Sequence, residues 1–484
     1  MASPPPRAYE EVPYDDRPVA ETHPDRLWLT ARSQGIALPR PEQMRVLELG
    51  CAHAVNLMPM AFHLPQAQFV GMDLSPGQIA RASERIDALG LPNLKVECGD
   101  VMDYDLRGEH YDVVIAHGLF SWVPDPVRDR VLTLCKEAVG DRGLVYISYN
   151  AMPAWGVREG IRRALLEIVG DAKTPKLQVA RARAGLQRLA EVTPLEGTAE
   201  GALIAEEIAG LVDKPDAYLL HEYLVPHARA YWLRDFVRMA AGAGLSLMGD
   251  VAETGLAPDV LPNTRAALSP LVEGEALATE QLADIVTFRQ FRASLLVPTG
   301  ISRQPDRAQG WIRETFAAAA PDEADDAPSE VTAWLRARWP ADASFAQIVD
   351  GTGKSPDEVH RALTDGWDAA TIQLRARALP IVATVGERPT VSELARFEAA
   401  ELGFVTTPLH EYAPMDTFHV RLAAAADGTR DAGAIVDALL DDIGAGRLQL
   451  ATRQDMTRAQ LRAPLRKMVD HALQRLASVG LLSG

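Results

Sequence analysis

Two acidic residues, and the turn of small residues that follows the first, are where this sequence is best equipped to bind a ligand. Glu48 lies near the end of one apolar run, Gly50 begins the turn, and Asp73 ends the next apolar run. The pattern is typical of a strand, a turn, a helix and a second strand that together hold a nucleoside. The Asp73 carboxylate is expected to accept both ribose hydroxyls.

The turn has fewer glycines than a dinucleotide-binding motif, because it contains Ala52 and Ala54 after Gly50. A pyrophosphate needs several free backbone amides at close approach, whereas the amino-acid tail of S-adenosylmethionine tolerates small alanines. Glu48 would repel a diphosphate and attract the sulfonium and ammonium groups of that donor. The turn therefore favours a methyl donor over a dinucleotide. The alternative to a ligand site is an ordinary strand, turn and helix that bind no ligand.

Further candidate residues follow the third and fourth apolar runs. The Asp100 side chain and the Val101 amide are placed to hydrogen-bond the adenine edge, although Asp100 after a glycine is also a good turn or helix cap. His117 and Trp122 would lie where the methyl sulfonium sits. Trp122 is expected either to attract cations through its ring face or simply to pack.

Three more side chains are candidates for handling an amine acceptor. Tyr149 ends the fifth run, and Glu222 and Tyr223 precede the point where strands resume. A lysine amine must lose its proton before it attacks, since its reference pKa is near 10.4, and these groups could orient it. Alternatively, these three side chains form a hydrogen-bonded polar cluster that only stabilises the fold. The histidines form no pair at metal-ligand spacing, so no metal is expected.

Composition narrows the class of protein. The chain has 484 residues and a formal net charge of −17, which argues against nonspecific nucleic-acid binding and allows a cationic partner. Its three cysteines predict neither a disulfide framework nor a zinc site, which fits a reducing cytoplasm. The start of the sequence lacks a basic end followed by an apolar stretch, and nowhere do 18 apolar residues run together, so we expect neither an export signal nor a membrane span.

Apolar runs and helical patterns alternate up to Asn150, which predicts an α/β fold with a parallel sheet of the Rossmann-like kind. After a helical stretch the alternation resumes at Trp232, and the last strand, Phe291–Val297, is expected to be antiparallel. The sheet should have seven strands. The expected strands are 45–50, 68–73, 94–98, 111–117, 144–149, 245–251 and 291–297.

The sequence is expected to divide into six parts. A lead-in segment that folds as a lid is followed by the first part of the core, a helical insert, the second part of the core, a linker and a mostly helical C-terminal domain of winged-helix type. The linker is inferred from the small, acidic, proline-flanked stretch Ala317–Pro328. The parts are 1–43, 44–150, 151–217, 218–299, 300–330 and 331–484.

The chain resembles bacterial class I methyltransferases with a methyltransferase regulatory domain, similar to the lysine methyltransferases that modify outer-membrane proteins. The similarity is carried by Leu47–Ala52, His117–Pro124, Ser148–Asn150, His221–Leu224 and Arg289–Arg292, and covers about residues 9 to 297 well. It implies a helical insert able to form a homodimer and a C-terminal domain that helps bind a protein substrate. The residues expected to bind the donor are Tyr14, Glu48, Gly50, Ala52, Asn56, Asp73, Leu74, Asp100, Val101 and His117.

The function expected from residues and resemblance together is S-adenosylmethionine-dependent methyl transfer, with lysine of a protein or peptide as acceptor. His117, Trp122, Tyr149, Glu222 and Tyr223 are the expected catalytic residues. One alternative is a small-molecule methyltransferase, which would need a closed and largely apolar pocket. A second alternative is a donor-binding regulator without catalysis, suggested by the altered glycine turn.

Overall fold

A seven-stranded sheet forms the centre of the protein in a computed structural model, which describes residues 12, 16–192, 197–251, 262–301, 310–321, 328–382, 384–450 and 456–483. The spatial order is β3-β2-β1-β4-β5-β7-β6. Strands β1 to β5 pair in parallel. The strands are β1 Arg45–Leu49, β2 Gln68–Asp73, β3 Leu94–Cys98, β4 Val113–Ala116, β5 Leu144–Asn150, β6 Leu245–Asp250 and β7 Phe291–Pro298. The predicted α/β fold with seven strands is confirmed.

The central strands are apolar along their whole length because helices cover both faces of the sheet. Every residue of β4 and β5 is buried, as expected for parallel strands enclosed by crossover helices. One face shares a core with the N-terminal helix and with residues 311–376, and the other packs on the helices after β4 and before β6. The helices of this region are α1 Pro24–Ser33, α2 Leu57–His63, α3 Pro76–Leu89 and α4 Asp125–Val139.

The last core strand, β7, is antiparallel as predicted, and it lies between β5 and β6 rather than at the sheet edge. Its Arg292 is buried and bonds three carboxylate oxygens. Nε and Nη2 lie 2.9 and 2.7 Å from the two oxygens of Asp284, and Nη1 lies 2.6 Å from Asp250 Oδ2. Because Asp284 belongs to the helix before β7, this network ties that helix to the sheet. The helices of this part are α8 Leu233–Gly242, α9 Pro262–Leu268 and α10 Ala276–Val286.

The first insert is helical, as predicted. Its helices are α5 Trp155–Val169, α6 Pro175–Val192 and α7 Ala199–Val212, followed by a helical turn, Asp216–Tyr218, and a π-helix, Leu219–Tyr223. These elements share a small apolar core of their own. Since the π-helix packs in that core, the insert positions the polar residues 221–223 beside the sheet.

The linker prediction is wrong for part of its span. Residues Phe316–Ala318 form β8, the middle strand of a three-stranded sheet with β9 Ala343–Ser344 and β10 Gln373–Arg375. Ala318 and Ala319 are fully buried, because small side chains let this strand pack closely against the helices around it. The acidic residues 322–327 lie outside the described part of the chain.

The C-terminal region consists of two packed parts. The first contains the three-stranded sheet with α11 Glu330–Arg336, α12 Phe345–Thr352 and α13 Pro356–Asp368. The second has a separate core, consistent with the predicted winged-helix type. Its elements are β11 Thr390–Val391, α14 Glu393–Leu402, β12 Phe404–Thr406, β13 Tyr412–Pro414, α15 Thr417–Ala425, α16 Ala432–Gly444, α17 Arg458–Ser478 and β14 Leu482–Ser483. Within the described ranges, no helix is both long and apolar enough to cross a bilayer.

Candidate functional site

The turn after β1 follows a path that glycines normally take. Gly50, Ala52 and Ala54 have φ angles of 79°, 47° and 56°, a left-handed region that costs a non-glycine residue about 1 kcal/mol or more. The amides of Gly50 and Cys51 donate to Met72 O at 2.8 and 3.0 Å. Hydrogen bonds to β2 therefore hold the turn in a glycine-like conformation although two of its residues are alanines.

Glu48 lies behind this turn with 4% of its surface exposed. Its Oε1 accepts a hydrogen bond of 2.8 Å from Asn56 Nδ2, while its buried Oε2 has no hydrogen-bond partner among the described residues. Burial is the main cause that raises the pKa of Glu48 to about 7, and Asp16 and Asp73 add to the increase. The site thus contains a carboxylate oxygen able to accept from a cationic group.

Asp73 ends β2 beside the turn. Its Oδ2 accepts from the Ala52 amide at 3.0 Å and its Oδ1 accepts from the Ser75 amide at 2.9 Å. Burial raises the pKa of this half-buried carboxyl. Each oxygen retains a further lone pair, so the side chain can accept hydroxyl hydrogens as well. The neighbouring Leu74 is a large apolar side chain with 38% of its surface exposed.

Asp100 follows β3, which pairs with β2 so that Asp73 lies opposite Cys98. Asp100 Oδ1 accepts from the Met102 amide at 3.0 Å, so the residue does make the local turn bond that its position after a glycine predicts. Met102 is 42% exposed, like Leu74 beside the next strand. Acidic and exposed apolar side chains therefore alternate along this edge of the sheet.

His117 follows β4 and is held by aromatic neighbours. Its Nδ1 lies 3.0 Å from the Tyr146 hydroxyl, and its ring packs against Tyr146 and Phe291, each with a centroid separation of 5.9 Å. Burial lowers the pKa of His117 to about 4. The imidazole is therefore uncharged at neutral pH.

Trp122 and Tyr223 belong to one row of aromatic side chains. Trp155, at the start of α5, lies between them, with ring centroids 5.8 Å from Trp122 and 6.2 Å from Tyr223. Glu222 is half-buried in the same π-helix as Tyr223. The structure thus brings three of the expected catalytic residues to one wall formed by the insert and the β4 loop.

Tyr149 lies away from this wall. Its ring stacks on Phe236 at 4.1 Å and its hydroxyl lies 3.2 Å from Ser294 Oγ, with 1% of the residue exposed. Tyr146 and Tyr149 belong to the cores on opposite faces of the sheet. Since His117 contacts Tyr146, the structure does not bring Tyr149 together with His117.

Described residues of the lead-in segment contact both the turn and the π-helix. His221 Nε2 lies 2.7 Å from Val12 O, and the Val19 amide donates to Asn56 Oδ1 at 2.9 Å. Asp16 is hydrogen-bonded to His53 Nδ1 in the turn. Tyr14, expected to contact the donor, lies outside the described residues.

One polar group that contacts the site, His410, has no role predicted from the sequence. His410 of the C-terminal region hydrogen-bonds Asn56 at 2.9 Å, across 354 positions of sequence, and no local pattern signals such a contact. Asn150 Nδ2 is buried without a hydrogen-bond partner among the described residues. The position of Asn150 at the end of β5 predicts that its side-chain amide orients the nucleophile, and this stays a prediction.

A cavity of about 730 Å³ lies beside the aromatic row, between the starts of α4 and α5 and the segment 226–235. Its lining mixes aromatic rings with ion pairs, including Arg229 with Asp125 at 3.2 Å and Arg163 with Glu159 at 2.9 Å. It is thus neither predominantly apolar nor predominantly acidic. The charged lining residues are Asp125, Arg128, Glu159, Arg162, Arg163, Arg229 and Asp235.

Three family models match separate parts of the chain. Residues 46–143 match a methyltransferase domain, residues 215–298 match a predicted methyltransferase regulatory domain, and residues 387–481 match the C-terminal winged helix domain of PKMT. The winged-helix match coincides with the second part of the C-terminal region.

The chain is similar to two uncharacterized proteins of Rickettsia prowazekii. One is 32% identical over 293 residues, which are 60% of this chain and 52% of that protein, and the other is 27% identical over 233 residues, 48% of this chain and 93% of the other. The chain thus spans about half the length of the first relative. Among solved structures, PKMT2 from Rickettsia typhi in complex with AdoHcy has a TM-score of 0.80 at 20% identity, covering 98% of this chain and all of that one. That likeness establishes the fold.

Proposed function

We propose that this chain, which belongs to the class I methyltransferases with a regulatory domain and the winged-helix domain of PKMT, transfers methyl groups from S-adenosylmethionine to lysine side chains of a protein or peptide. The observation that carries the donor assignment is the row of three carboxylates, Glu48, Asp73 and Asp100, at neighbouring strand ends beside a glycine-like turn. The protein lysine methyltransferase (PKMT) winged-helix domain supports the acceptor.

The residues present fit the donor. The buried Oε2 of Glu48 lacks a hydrogen-bond partner among the described residues and can accept from the donor's ammonium group. Asp73 would hold the ribose hydroxyls, and Asp100 with the Val101 amide would bind the adenine edge. Ligands of open α/β sheets bind beyond the carboxyl ends of the strands, where these groups lie.

S-adenosylmethionine supplies an electrophilic methyl group on a sulfonium. The chain contributes alignment and exclusion of water, which account for much of the barrier reduction in a direct displacement. The lead-in segment, through Val19 and Asp16, lies across the donor turn and shields it. His117, uncharged because burial lowers its pKa to about 4, exerts no repulsion on a nearby cation.

The aromatic row supports an amine acceptor. The partly exposed ring of Trp122 attracts a cationic side chain, and Trp155 and Tyr223, which are 4% and 1% exposed, pack behind it. Glu222 on the same wall can orient the amine and help its proton leave to water. A formal net charge of −17 favours the approach of a lysine-bearing partner. Tyr149 would contribute only indirectly, by packing beneath the β5 end.

Two alternatives are less well supported. A small-molecule methyltransferase should have a closed apolar pocket, whereas the cavity beside the aromatic row is lined by ion pairs. The similarity to a trans-aconitate 2-methyltransferase of Variovorax paradoxus, 33% identical, covers 18% of this chain and 32% of that enzyme. A regulator that has lost catalysis was suggested by the missing glycines, but Ala52 and Ala54 retain the glycine-like backbone.

We also propose that the helical insert forms a homodimer and that the protein acts in the cytoplasm. Ile168, Leu177 and Val192 of the insert are large apolar side chains between 39% and 51% exposed, and apolar side chains on a helical surface favour association. Cys51 and Cys135 are buried thiols and Cys98 is an exposed one, which suits a reducing compartment.

Binding of the demethylated donor, S-adenosylhomocysteine, is expected to weaken as the pH falls below 7. Glu48 has a pKa of about 7, raised by burial, and only its ionised form attracts the ammonium group. Affinity should therefore fall up to tenfold per pH unit below that value. Calorimetry between pH 5.5 and 7.5 measures it. Glu48→Gln should flatten most of this dependence, whereas the exposed control Glu84→Gln should keep it; an unchanged slope in Glu48→Gln contradicts the assignment.

The full function is tested with a tritium-labelled methyl donor and cell extract separated into macromolecules and metabolites. Label is expected in protein, and after hydrolysis in methylated lysine. A preparation with Glu48→Gln serves as the low-activity control. Label that enters only metabolites would overturn the lysine proposal and favour a small-molecule acceptor, and absence of label despite donor binding would favour the regulator.

A further inference from the structure

The hairpin of β12 and β13 in the winged-helix domain has an unusual tip. His410, within the connecting residues 407–411, is 1% exposed and has a φ of +63°. A left-handed conformation is unfavourable for a residue with a side chain. Contacts made by the tip must therefore hold it, and these contacts reach the donor turn.

The imidazole of His410 is joined to Glu48 by two hydrogen bonds. His410 Nε2 lies 2.9 Å from Asn56 Oδ1, and Asn56 Nδ2 lies 2.8 Å from Glu48 Oε1. Asn56 Nδ2 also lies 3.0 Å from the Thr22 hydroxyl. A residue of the C-terminal domain is thus connected, through Asn56, to the carboxylate proposed to bind the donor.

The direction of these bonds follows from a backbone amide. Val19 N–H can only donate, and it lies 2.9 Å from Asn56 Oδ1, so that atom is the amide oxygen and Nδ2 faces Glu48. His410 must then donate from Nε2. Burial lowers the pKa of His410 to about 3, so the ring is neutral and carries its single proton at that nitrogen.

Other contacts clamp the C-terminal region to the lead-in segment that covers the turn. Arg377 and Asp25, both 11% exposed, pair at 3.3 Å. Glu411 beside the tip lies 3.5 Å from Arg26. The His23 ring also lies 5.2 Å from the His410 ring. The C-terminal region therefore packs on the lead-in segment through several contacts rather than through one chance contact.

We propose that His410 is a positioning residue through which the winged-helix domain sets the affinity for the methyl donor. By fixing the Asn56 amide, it holds Glu48 with Oε2 directed toward the donor's ammonium group. The inference rests on the proposed donor site and adds how that site is regulated. A protein substrate that displaces the β12–β13 hairpin changes the affinity for the donor. Bound donor then changes the affinity for the substrate by the same factor.

Three variants of the full chain separate the hydrogen bond from the backbone conformation. His410→Ala removes the bond, His410→Gly removes it while suiting the left-handed backbone, and His410→Gln keeps an N–H donor. Calorimetry with S-adenosylhomocysteine should show affinity about threefold to tenfold weaker for the alanine and glycine variants, with substantial rescue by glutamine. Thr417→Ala, an exposed position at the start of the helix that follows the hairpin, is the matched control and should bind as the unaltered chain does.

A second readout distinguishes positioning from general weakening of the fold. The bond from Asn56 lowers the pKa of Glu48, while Asp16 and Asp73, which face Glu48, raise it. A loosened Asn56 should therefore move the pH at which donor affinity falls to a higher value in His410→Gly, without a matching change in melting temperature.

The outcomes are distinguishable from failure of the proposed function. If the unaltered chain binds no S-adenosylhomocysteine, the donor site itself is wrong. If it binds and His410→Gly binds equally well with an unshifted pH profile, the positioning role is overturned. Should His410→Ala fail to fold, the comparison of the glycine and glutamine variants decides, and equal affinities overturn the inference.

Discussion

Asp73→Ala is expected to weaken binding of S-adenosylhomocysteine by two to four orders of magnitude. The Asp73 carboxylate lies at the carboxyl end of β2 and would accept both ribose hydroxyls. Each charge-assisted hydrogen bond contributes about 1.5–3 kcal/mol, so the loss of two costs about 3–6 kcal/mol. Calorimetric titration measures the change directly.

The interpretation needs a control, because Asp73 also accepts from the amides of Ala52 and Ser75. Asp103→Ala removes an exposed carboxylate from the loop after β3 and should leave affinity unchanged. Asp73→Asn keeps an acceptor oxygen and should bind more tightly than Asp73→Ala. If Asp73→Ala keeps its melting temperature and its affinity, the ribose assignment is wrong.

Arg292→Met is expected to destabilise the protein by about 3–5 kcal/mol. The guanidinium is 2% exposed and bonds both oxygens of Asp284, which is 1% exposed, together with Asp250. Its removal leaves a buried carboxylate pair with one cation fewer, and burial already raises the pKa of Asp284. Thermal and urea denaturation should both report the loss.

The matched comparison is Arg265→Met in the same region. Arg265 pairs with Glu280, but their side chains are 45% and 29% exposed, and surface pairs contribute about 0–1 kcal/mol. The double variant Arg292→Met with Asp284→Leu should recover part of the stability, because the one buried carboxylate that remains, Asp250, is then matched by Arg289 at 3.5 Å. A loss for Arg292→Met no larger than for Arg265→Met contradicts a buried-network role.

Local signals were sufficient for the core of the fold. The predicted bounds of β2 and β3 match the structure at both ends, because apolar runs set these strands. Between them, Ser75 and Gly90 cap the two ends of α3. The antiparallel direction of β7 was also predicted. Its place between β5 and β6 depends on pairing across 140 or so residues, which periodicity does not encode.

The features that the sequence did not predict depend on packing between parts of the chain that are distant in sequence. Small residues near prolines and acids predict a linker at alanines 317–319, yet their small size lets β8 pack in the core against the neighbouring helices. The position of Tyr149 at the end of a strand predicts that it lies in the site. Its side chain lies on the opposite face of the sheet from Tyr146, because side chains alternate between the two faces along a strand. His410 reaches Asn56 only through the packing of distant domains.

The position of β7 has a consequence for how the chain matures on the ribosome. Strand β5, buried along its whole length, pairs with β7 on its outer side, so this side stays unpaired until residues 291–298 have been synthesised. An unpaired apolar strand is a template for association between nascent chains. The part of the core that contains the proposed donor site therefore depends on a strand that is synthesised much later. Translation products that stop before β7 should be prone to aggregate.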